Sequence, residues 1–242
     1  MSAPTPSISI IVSTLNEAEN IEPLLAQIRA AGVPFHEMIF VDDRSTDGTQ
    51  ANIRAPRQDH RVRLIERGPG EKGLASAIMT GAAAAQGEFI LVMDADLSHP
   101  TERIKDLLAP VLAGTADMVI GSRYVPGGTT PGWPLWRRLI SRTGAMAAFP
   151  LTSTRDSMSG FFAISRSNLL ALGDPTAGFK IAFAIISRAG PKWRVQEVPI
   201  AFPDRIHGES KMSLMIAFNF LRLWLQSVWR RIFRRNKAGE TA

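Results

Sequence analysis

The stretch GEFILVMDADLSHP, residues 87–100, decides the fold of this 242-residue chain. Its mostly apolar run, residues 88–93, has the length and composition of a buried β-strand. Asp94 and Asp96 follow directly, where the strand ends and a loop begins. Acidic residues at the start of a loop often only cap the next helix. One such pair is therefore compatible both with helix capping and with a role in binding or catalysis.

A second pair of carboxylates stands in the same position after an earlier strand. In VDDRSTDGT, residues 41–49, Asp42 and Asp43 follow the apolar run 38–41. The carboxyl ends of parallel strands meet at one edge of a sheet, where open α/β sheets bind their ligands. We therefore expect both acidic pairs to face one crevice at that edge. Carboxylates spaced D-x-D suit a hard divalent cation whose shell is completed by substrate phosphates.

Strand-like and helix-like patterns alternate over the first 125 residues. The alternation predicts an α/β fold with a mostly parallel central sheet flanked by helices, in the Rossmann-like manner. Asn16 and Glu19 form a variant of the capping box before an apolar helical pattern over 21–28. Further strands are predicted over 7–13, 62–65, 117–120, 158–164 and 193–202, with helices over 73–85, 104–112 and 177–189.

The composition excludes several classes of protein. With 45% hydrophobic and 21% charged residues, the chain has the composition of a folded domain. It has no cysteine, which excludes disulfides, Cys-ligated zinc, iron–sulfur clusters and thiol catalysis, and suits a reducing compartment. The turn after the first strand lacks G-x-G-x-x-G and the chain lacks G-x-x-x-x-G-K-[ST], which disfavours dehydrogenases and P-loop NTPases. The first residues show no signal-peptide pattern.

A cluster of Gly and Pro interrupts the alternating pattern at residues 126–134. Such a cluster predicts a loop, and we expect it to be mobile without ligands. A cationic helix start follows, with Arg137, Arg138 and Arg142.

The net charge of +6 is concentrated at the C-terminus. From Arg222 onward the chain has six basic residues and one acidic residue, so the preceding body is almost neutral. Residues 212–235 are largely apolar with a narrow polar stripe, which predicts an amphipathic helix lying on a membrane surface. Its interfacial aromatic residues would be Phe218, Trp224, Trp229 and Phe233. The alternative is a helix packed on its own domain or on a partner.

Six motifs together resemble the family 2 glycosyltransferases of GT-A type, and among them the polyprenol-phosphate (dolichol-phosphate) mannose synthases. The resemblance spans about residues 7–212. It implies a GT-A catalytic domain over 1–211 and a membrane-associating helix and basic tail over 212–242. The motifs are STLNEAENI, VDDRSTDGT, GLASAIMTGAAAAQGEFILVMDADLSHP, IGSRYVPGG, RDSMSGFFAISR and VPIAFPDRIHGESKM.

The resemblance also implies roles for residues at the donor end of the site. Asp96 would be the more direct ligand of Mg²⁺ or Mn²⁺, together with Ser98, where the family often has Gln. Asp94 and Asp96 would be the D-x-D motif and would act in catalysis. The residues implied in binding the nucleotide sugar are Thr14, Glu17, Asp42, Asp43, Lys72 and Asp94.

At the acceptor end, the resemblance implies that the loop 126–134 closes over a lipid phosphate. Asp156 would have a positioning or electrostatic role, although the family commonly has Pro where this chain has Ser157. Arg123, Asp156 and Arg205 would act in catalysis. The residues implied in binding the acceptor phosphate are Arg123, Arg137, Arg138, Ser159, Arg205, Ser210 and Lys211.

The function implied is inverting transfer of a hexose, mannose from GDP-mannose, to a polyprenyl or dolichyl phosphate at the cytoplasmic face of a membrane. A UDP-glucose-dependent glucosyltransferase is the alternative. A sugar-1-phosphate nucleotidyltransferase should have a Gly-rich, Arg-containing loop after its first strand, and STLNEAEN has neither residue. A non-catalytic membrane or nucleic-acid adaptor would use only the basic tail, and we expect no nucleic-acid partner.

Two smaller features have structural interpretations. His99 is expected to be a loop or capping residue rather than a base. The cationic run Arg54, Arg57, Arg61, Arg63 and Arg67 is expected to be solvated surface.

Overall fold

The computed structural model describes residues 7–55, 59–71, 73–171, 173, 180–204, 221–222 and 224–229. Strands and helices alternate along most of this length, as the hydrophobic pattern predicts. The strands are β1 (Ile8–Thr14), β2 (Glu37–Asp42), β3 (Val62–Glu66), β4 (Phe89–Asp94), β5 (Met118–Ser122), β6 (Phe162–Ser165) and β7 (Val195–Pro199). The helices are α1 (Ile21–Ala30), α2 (Thr49–Arg54), α3 (Leu74–Ala84), α4 (Ile104–Leu112), α5 (Leu135–Thr152), α6 (Arg166–Ala171) and α7 (Ile181–Ala189), with a 3₁₀ turn at Thr101–Arg103.

The seven strands form one sheet in the order β3-β2-β1-β4-β6-β5-β7. Strands β1 to β4 pair in parallel, as does β5 with β7, whereas β6 runs antiparallel to both of its neighbours. The mostly parallel sheet expected from the sequence is therefore confirmed. The predicted strand 158–164 begins later than expected, at Phe162, because the preceding residues form a turn.

Each face of the sheet is covered by its own apolar layer. On one face, Ile21 of α1 and Leu107 of α4 belong to the same buried cluster as Ile10 of β1. On the other face, Ile78 of α3 and Ile185 of α7 belong to the same buried cluster as Ile11 of β1. Burial on both faces explains why the central strands β1, β2 and β4 are mostly apolar in sequence.

Helix α3 approaches the sheet very closely at Gly81. A Cβ at this position would lie 2.7 Å from Ile11 Cγ2 and 3.1 Å from Val41 Cγ2, closer than packed carbon atoms tolerate. The alanine-rich sequence of α3 serves the same close contact, which fixes the helix over β1 and β2.

The capping box predicted from Asn16 and Glu19 is wrong. Helix α1 begins at Ile21 with Asn20 as its N-cap, and Asn20 makes no side-chain capping bond. Asn16 instead has a positive φ of 58° and accepts a hydrogen bond from the Thr46 backbone N–H. Its polar side chain therefore ties two loops together.

The C-terminal segment is helical at residues 221–222 and 224–229. Trp224 Nε1 donates to the Ala147 carbonyl of α5 at 2.8 Å, and Ser227 is hydrogen-bonded to Ser187 of α7. Leu225 and Trp229 remain more than half exposed. Trp224 therefore packs on the domain and is not one of the exposed aromatic residues predicted for a membrane. Phe218, Phe233 and the boundary at 211–212 lie outside the described residues.

Candidate active site

The carboxyl ends of β1, β2 and β4 lie side by side. The register of the parallel strands places Thr14 opposite Asp42 and Ser13 opposite Asp94. The two acidic pairs therefore share one edge of the sheet, as the sequence predicts.

Asp42 is fully buried at this edge. Its carboxylate accepts hydrogen bonds from the Ser45 N–H and hydroxyl, from Gln50 Nε2 at 2.6 Å and from Thr14 Oγ1 at 3.0 Å. Burial raises the pKa of Asp42, but hydrogen bonds from Ser45, Gln50 and Thr14 outweigh it and hold the pKa below its usual value. The expectation that all four carboxylates face the crevice is wrong for Asp42, whose contact with a nucleoside stays a prediction.

The loops after β1 and β2 are cross-linked by side chains. The Glu17 N–H donates to Thr49 Oγ1 at 2.8 Å and the Ala18 N–H donates to Asp47 at 3.0 Å. Glu17 itself accepts from Asn20 Nδ2 at 2.6 Å. These bonds hold the backbone around Glu17 in one position beside the sheet edge.

Asp43 is held by a residue that the sequence pattern misassigned. Arg67 is 3% exposed, and its guanidinium donates to Asp43 at 3.2 Å, to the Gly73 carbonyl and to Ser76. The prediction of a solvated surface is therefore wrong for Arg67. The Gly73 N–H also donates to Asp43, so this carboxylate fixes the start of α3. Lys72, predicted to approach the nucleotide, lies outside the described residues.

The D-x-D segment forms a tight turn after β4. Asp96 Oδ1 accepts hydrogen bonds from the Ser98 N–H at 3.1 Å and from its hydroxyl. The Asp94 side chain is 29% exposed, whereas Asp96 is almost fully buried. A Cβ on Gly160 would lie 3.4 Å from Asp94 Oδ2, so this glycine leaves open the space beside the carboxylate.

This turn offers a partial oxygen shell for a cation. Across the described ranges, no group of three or more His, Cys, Asp and Glu side chains could enclose a metal ion. Two carboxylates with a neighbouring hydroxyl are hard oxygen donors, and Mg²⁺ sites commonly use one or two carboxylates with substrate phosphates and water. The donor set therefore fits a divalent cation that is bound together with a phosphate-bearing substrate.

Arg123 and Asp156 form a buried ion pair beside the ends of β5 and β6. Arg123 Nε and Nη2 each donate to one oxygen of Asp156 at 2.7 Å, and the Arg123 N–H donates to the same carboxylate at 2.9 Å. Burial lowers the pKa of Arg123, but the charge and hydrogen bonds of Asp156 more than compensate and raise it. Asp156 is fully buried and both of its oxygens are bound, an arrangement that suits positioning rather than proton abstraction.

Lys180 is a site residue that sequence reasoning missed. It immediately precedes α7 and interacts electrostatically with Arg123, Asp156 and Asp94. Burial and, secondarily, the charge of Arg123 lower its pKa to about 8, although both carboxylates oppose the shift. The only sequence signal is a single Lys before an apolar helix, a pattern that is equally typical of a solvated surface residue.

Residues 126–134 form a loop, as predicted, and hydrogen bonds and aromatic packing hold this loop against the segment after β7. The Thr129 N–H donates to the Ile200 carbonyl at 2.9 Å, and the Phe202 N–H donates back to Thr129 at 2.9 Å. Trp133 is buried and packs edge-on against Phe202, with ring centroids 5.7 Å apart. Any closure of this loop must therefore move the segment after β7 with it.

The predicted acceptor residues fall on both sides of this loop. Arg137 pairs with Asp204 and stacks over Trp133, with its Cζ 3.8 Å from the ring centroid. Arg138 is exposed and donates to the Thr130 carbonyl. Ser159 is buried, and its hydroxyl accepts from the Phe161 N–H. The other three predicted acceptor residues, Arg205, Ser210 and Lys211, lie outside the described residues.

Comparison with known proteins agrees with this geometry. Residues 9–173, which include the D-x-D turn and the Arg123–Asp156 pair, match the model of glycosyl transferase family 2. The chain belongs to glycosyl transferase family 2. The resemblance seen in the six motifs is thereby confirmed at the level of the family.

Curated relatives of this glycosyl transferase are named dolichol-phosphate mannosyltransferase. That of Pyrococcus furiosus is 38% identical over 221 residues, which are 89% of this chain and 62% of the relative. The chain thus spans less than two thirds of that protein's length. Those of Saccharomyces cerevisiae and Mycosarcoma maydis are each 37% identical, over 88% and 90% of this chain and 84% and 78% of their own lengths.

Solved structures confirm the fold of this glycosyl transferase. Glucosyl-3-phosphoglycerate synthase from Mycobacterium tuberculosis, in complex with phosphoglyceric acid, aligns with a TM-score of 0.69 at 20% identity and covers 92% of this chain and 80% of its own. The same enzyme in complex with Mn²⁺, UDP and glucosyl-3-phosphoglycerate aligns with a TM-score of 0.67 at 21% identity, covering 93% and 80%. At this identity the likeness concerns the fold alone.

Proposed function

We propose that this glycosyl transferase moves mannose from GDP-mannose to the phosphate of a polyprenyl or dolichyl phosphate and inverts the anomeric centre. The observation that supports the proposal most is the identity of 37–38% to dolichol-phosphate mannosyltransferases over most of the chain. The geometry agrees with it, because an acidic turn lies at one sheet edge with Arg123 and Lys180.

The arrangement of charges suits an acceptor that is already an anion. An anionic phosphate oxygen can attack an anomeric carbon without a strong general base. The reaction instead needs cationic groups that hold the two anionic substrates together. The Arg123–Asp156 pair leaves part of the guanidinium free of Asp156, because Nε and one Nη2 hydrogen supply the side-chain bonds. Those remaining N–H groups and Lys180 can hold the acceptor phosphate or the donor diphosphate.

We assign the divalent metal to the D-x-D turn, with Mg²⁺ or Mn²⁺ as candidates. Asp96 and Ser98 would hold it, with Asp94 beside it and Gly160 leaving room for the diphosphate. When bound, the cation would offset the charge of the leaving nucleoside diphosphate. The structurally similar glucosyl-3-phosphoglycerate synthase has been solved with Mn²⁺ and UDP, which supports a divalent cation without choosing between the two.

A donor comparison tests the proposal. The purified full chain is incubated with membranes and either radiolabelled GDP-mannose or radiolabelled UDP-glucose, and the organic phase is counted. We expect label from GDP-mannose and background from UDP-glucose. The opposite result would establish the glucosyltransferase alternative, and background from both would favour the adaptor.

The pH dependence of the reaction should reflect the protonation state of Lys180. Its ammonium form predominates below pH about 8 and is lost above it, because its pKa is lowered to about 8. We expect kcat/KM for the donor to fall above that pH, by about tenfold per unit where only the charged form is active. Lys180→Arg keeps the charge and should remove this descending limb. An identical fall in wild type and Lys180→Arg would show that another group titrates.

We further propose that α5 and the C-terminal helix dock on the membrane that contains the acceptor. Leu135, Leu139 and Met146 are 81%, 66% and 66% exposed, at spacings that place them on one side of α5. Leu225 and Trp229 are exposed on the adjoining C-terminal helix. Exposed apolar surface of this extent is typical of an interaction surface, and the basic tail complements anionic lipid.

No helix within the described ranges is long and apolar enough to span a bilayer. We propose that α5 and the C-terminal helix contact one membrane surface. That this is the cytoplasmic surface stays a prediction.

Vesicle sedimentation tests the docking surface. Replacing Arg230, Arg231, Arg234 and Arg235 with Gln should weaken binding to anionic vesicles by up to about 10³-fold, since each contributes about 1 kcal/mol near the surface. High salt should mimic this change. The triple variant Leu135→Ser, Leu139→Ser, Met146→Ser should release the protein even at low salt.

The matched control places three serines on the exposed face of α1, at Glu22, Gln27 and Arg29. This variant should sediment like wild type. If the α5 variant also sediments like wild type, the apolar stripe of α5 is covered by something other than lipid.

A further inference from the structure

The turn that presents the D-x-D carboxylates is closed by a histidine side chain. Asp94 ends β4, and its backbone N–H donates to His99 Nδ1 at 2.9 Å. Between these residues, Leu97 has a positive φ of 60°, a region that a leucine side chain disfavours. A turn that holds an unfavourable backbone conformation needs contacts that over-determine it, and the His99 bond is one of them.

The imidazole ring of His99 is itself firmly placed. It is 1% exposed and stacks on Phe161, with ring centroids 4.9 Å apart and planes 12° from parallel. Phe202 packs against it at 5.3 Å in an edge-on arrangement. These contacts therefore hold the His99 ring in one position beside the turn.

The hydrogen bond also fixes the tautomer. Because Nδ1 accepts from the Asp94 N–H, a neutral ring has its proton on Nε2. Nε2 lies 3.8 Å from Asp94 Oδ2, too far for a direct hydrogen bond but on the side of the carboxylate. The imidazole thus faces both the backbone and the side chain of Asp94, and the backbone bond is the direct link.

We propose that His99 is a positioning residue that sets the D-x-D turn for the metal and the donor diphosphate. It acts through Asp94 and touches neither substrate nor metal. The inference rests on the proposed function for the identity of the donor and for the assignment of the divalent cation to the D-x-D turn. We attribute the affinity of the turn for a divalent cation to the acceptor atom Nδ1 of His99 rather than to the bulk of its ring.

Three substitutions separate these contributions. His99→Asn places an amide oxygen near the position of Nδ1 and can accept from the Asp94 N–H. His99→Gln extends its amide toward the position of Nε2 and leaves the Asp94 N–H without that acceptor. His99→Phe keeps a stacked ring and has no acceptor. His36→Phe, at an exposed histidine hydrogen-bonded to Gln86, is the control for a surface change.

The measurement is binding of Mn²⁺ to the full chain by isothermal titration calorimetry, in the presence of GDP and without any acceptor. Replacing groups that orient metal ligands typically lowers metal affinity by about 10- to 100-fold. We expect this loss for His99→Phe and His99→Gln, and affinity within about threefold of wild type for His99→Asn and His36→Phe. The free energy of unfolding is measured in parallel.

The proposal is overturned if a folded His99→Phe variant binds Mn²⁺ as wild type does. If that variant does not fold, the Asn and Gln variants decide, and equal affinity in both overturns it. The titration is repeated with UDP in place of GDP. Preference for UDP would contradict the proposed donor, while the comparison among the His99 variants would still test the positioning role.

Discussion

Replacing Asp96 with Asn should lower the rate of mannosyl transfer by roughly 10²–10³-fold while leaving the chain folded. Asp96 accepts two hydrogen bonds from Ser98, and the amide oxygen of Asn can still accept them. The substitution therefore removes the negative charge but keeps the turn. What would be lost is the anionic ligand that we propose for the cation, which would offset the charge of the leaving diphosphate. Asp96→Ala should be at least as damaging, and Asp94→Asn should also lose most activity.

Initial rates over a range of Mg²⁺ and Mn²⁺ concentrations measure this effect. Asp106→Asn is the matched control, because Asp106 is an exposed carboxylate that pairs with Arg103 on the same helical turn. It should keep wild-type activity and stability. Full turnover by Asp96→Asn at low metal concentration would mean that the metal assignment is wrong.

Breaking the Arg123–Asp156 pair should cost both stability and activity. The carboxylate of Asp156 is fully buried, and the Arg123 side chain is 9% exposed. Arg123→Met leaves an uncompensated buried charge, which typically lowers the free energy of unfolding by about 3–5 kcal/mol. Transfer should fall to background, because the guanidinium that we propose binds the substrate phosphates is absent. Chemical denaturation and initial rates measure the two losses.

A double variant separates the two roles. Arg123→Met combined with Asp156→Leu removes both charges, and replacing a buried pair with apolar residues is often neutral or stabilising. We expect it to regain most of the lost free energy of unfolding but none of the activity. If activity returns together with stability, Arg123 contributes to the fold alone.

The sequence predicts the part of the fold that rests on local pattern. Apolar runs identify β1, β2 and β4, and acidic residues at the carboxyl ends of β2 and β4 identify the functional edge, because central parallel strands bury both faces and end at one side. The position of β6 does not follow from its own residues. It lies between β4 and β5 and runs antiparallel to both, and this placement is set by tertiary packing across the whole sheet.

The candidate site is predicted less completely, because charge pairing is a property of the folded chain. Arg67 has the sequence context of a surface residue, yet its side chain is buried against Asp43. Lys180 belongs to the site because the start of α7 lies near Arg123 and Asp156, which are distant in sequence. The sequence context of Trp224 predicts a membrane contact, but its indole N–H donates to the Ala147 carbonyl. Each of these three residues makes a long-range contact that no local pattern encodes.

Transfer of mannose to a lipid phosphate is the reaction that we propose for this protein. The test supplies purified full chain with radiolabelled GDP-mannose and a divalent cation, and with either a short-chain polyprenyl phosphate or the polyprenol of the same length. The product is extracted into organic solvent, and the configuration of its anomeric carbon is read by NMR spectroscopy. We predict a β-linked mannosyl product with the phosphate acceptor and background with the alcohol. Label on the alcohol alone, an α-linked product, or no lipid product from a folded chain that binds GDP would contradict the account.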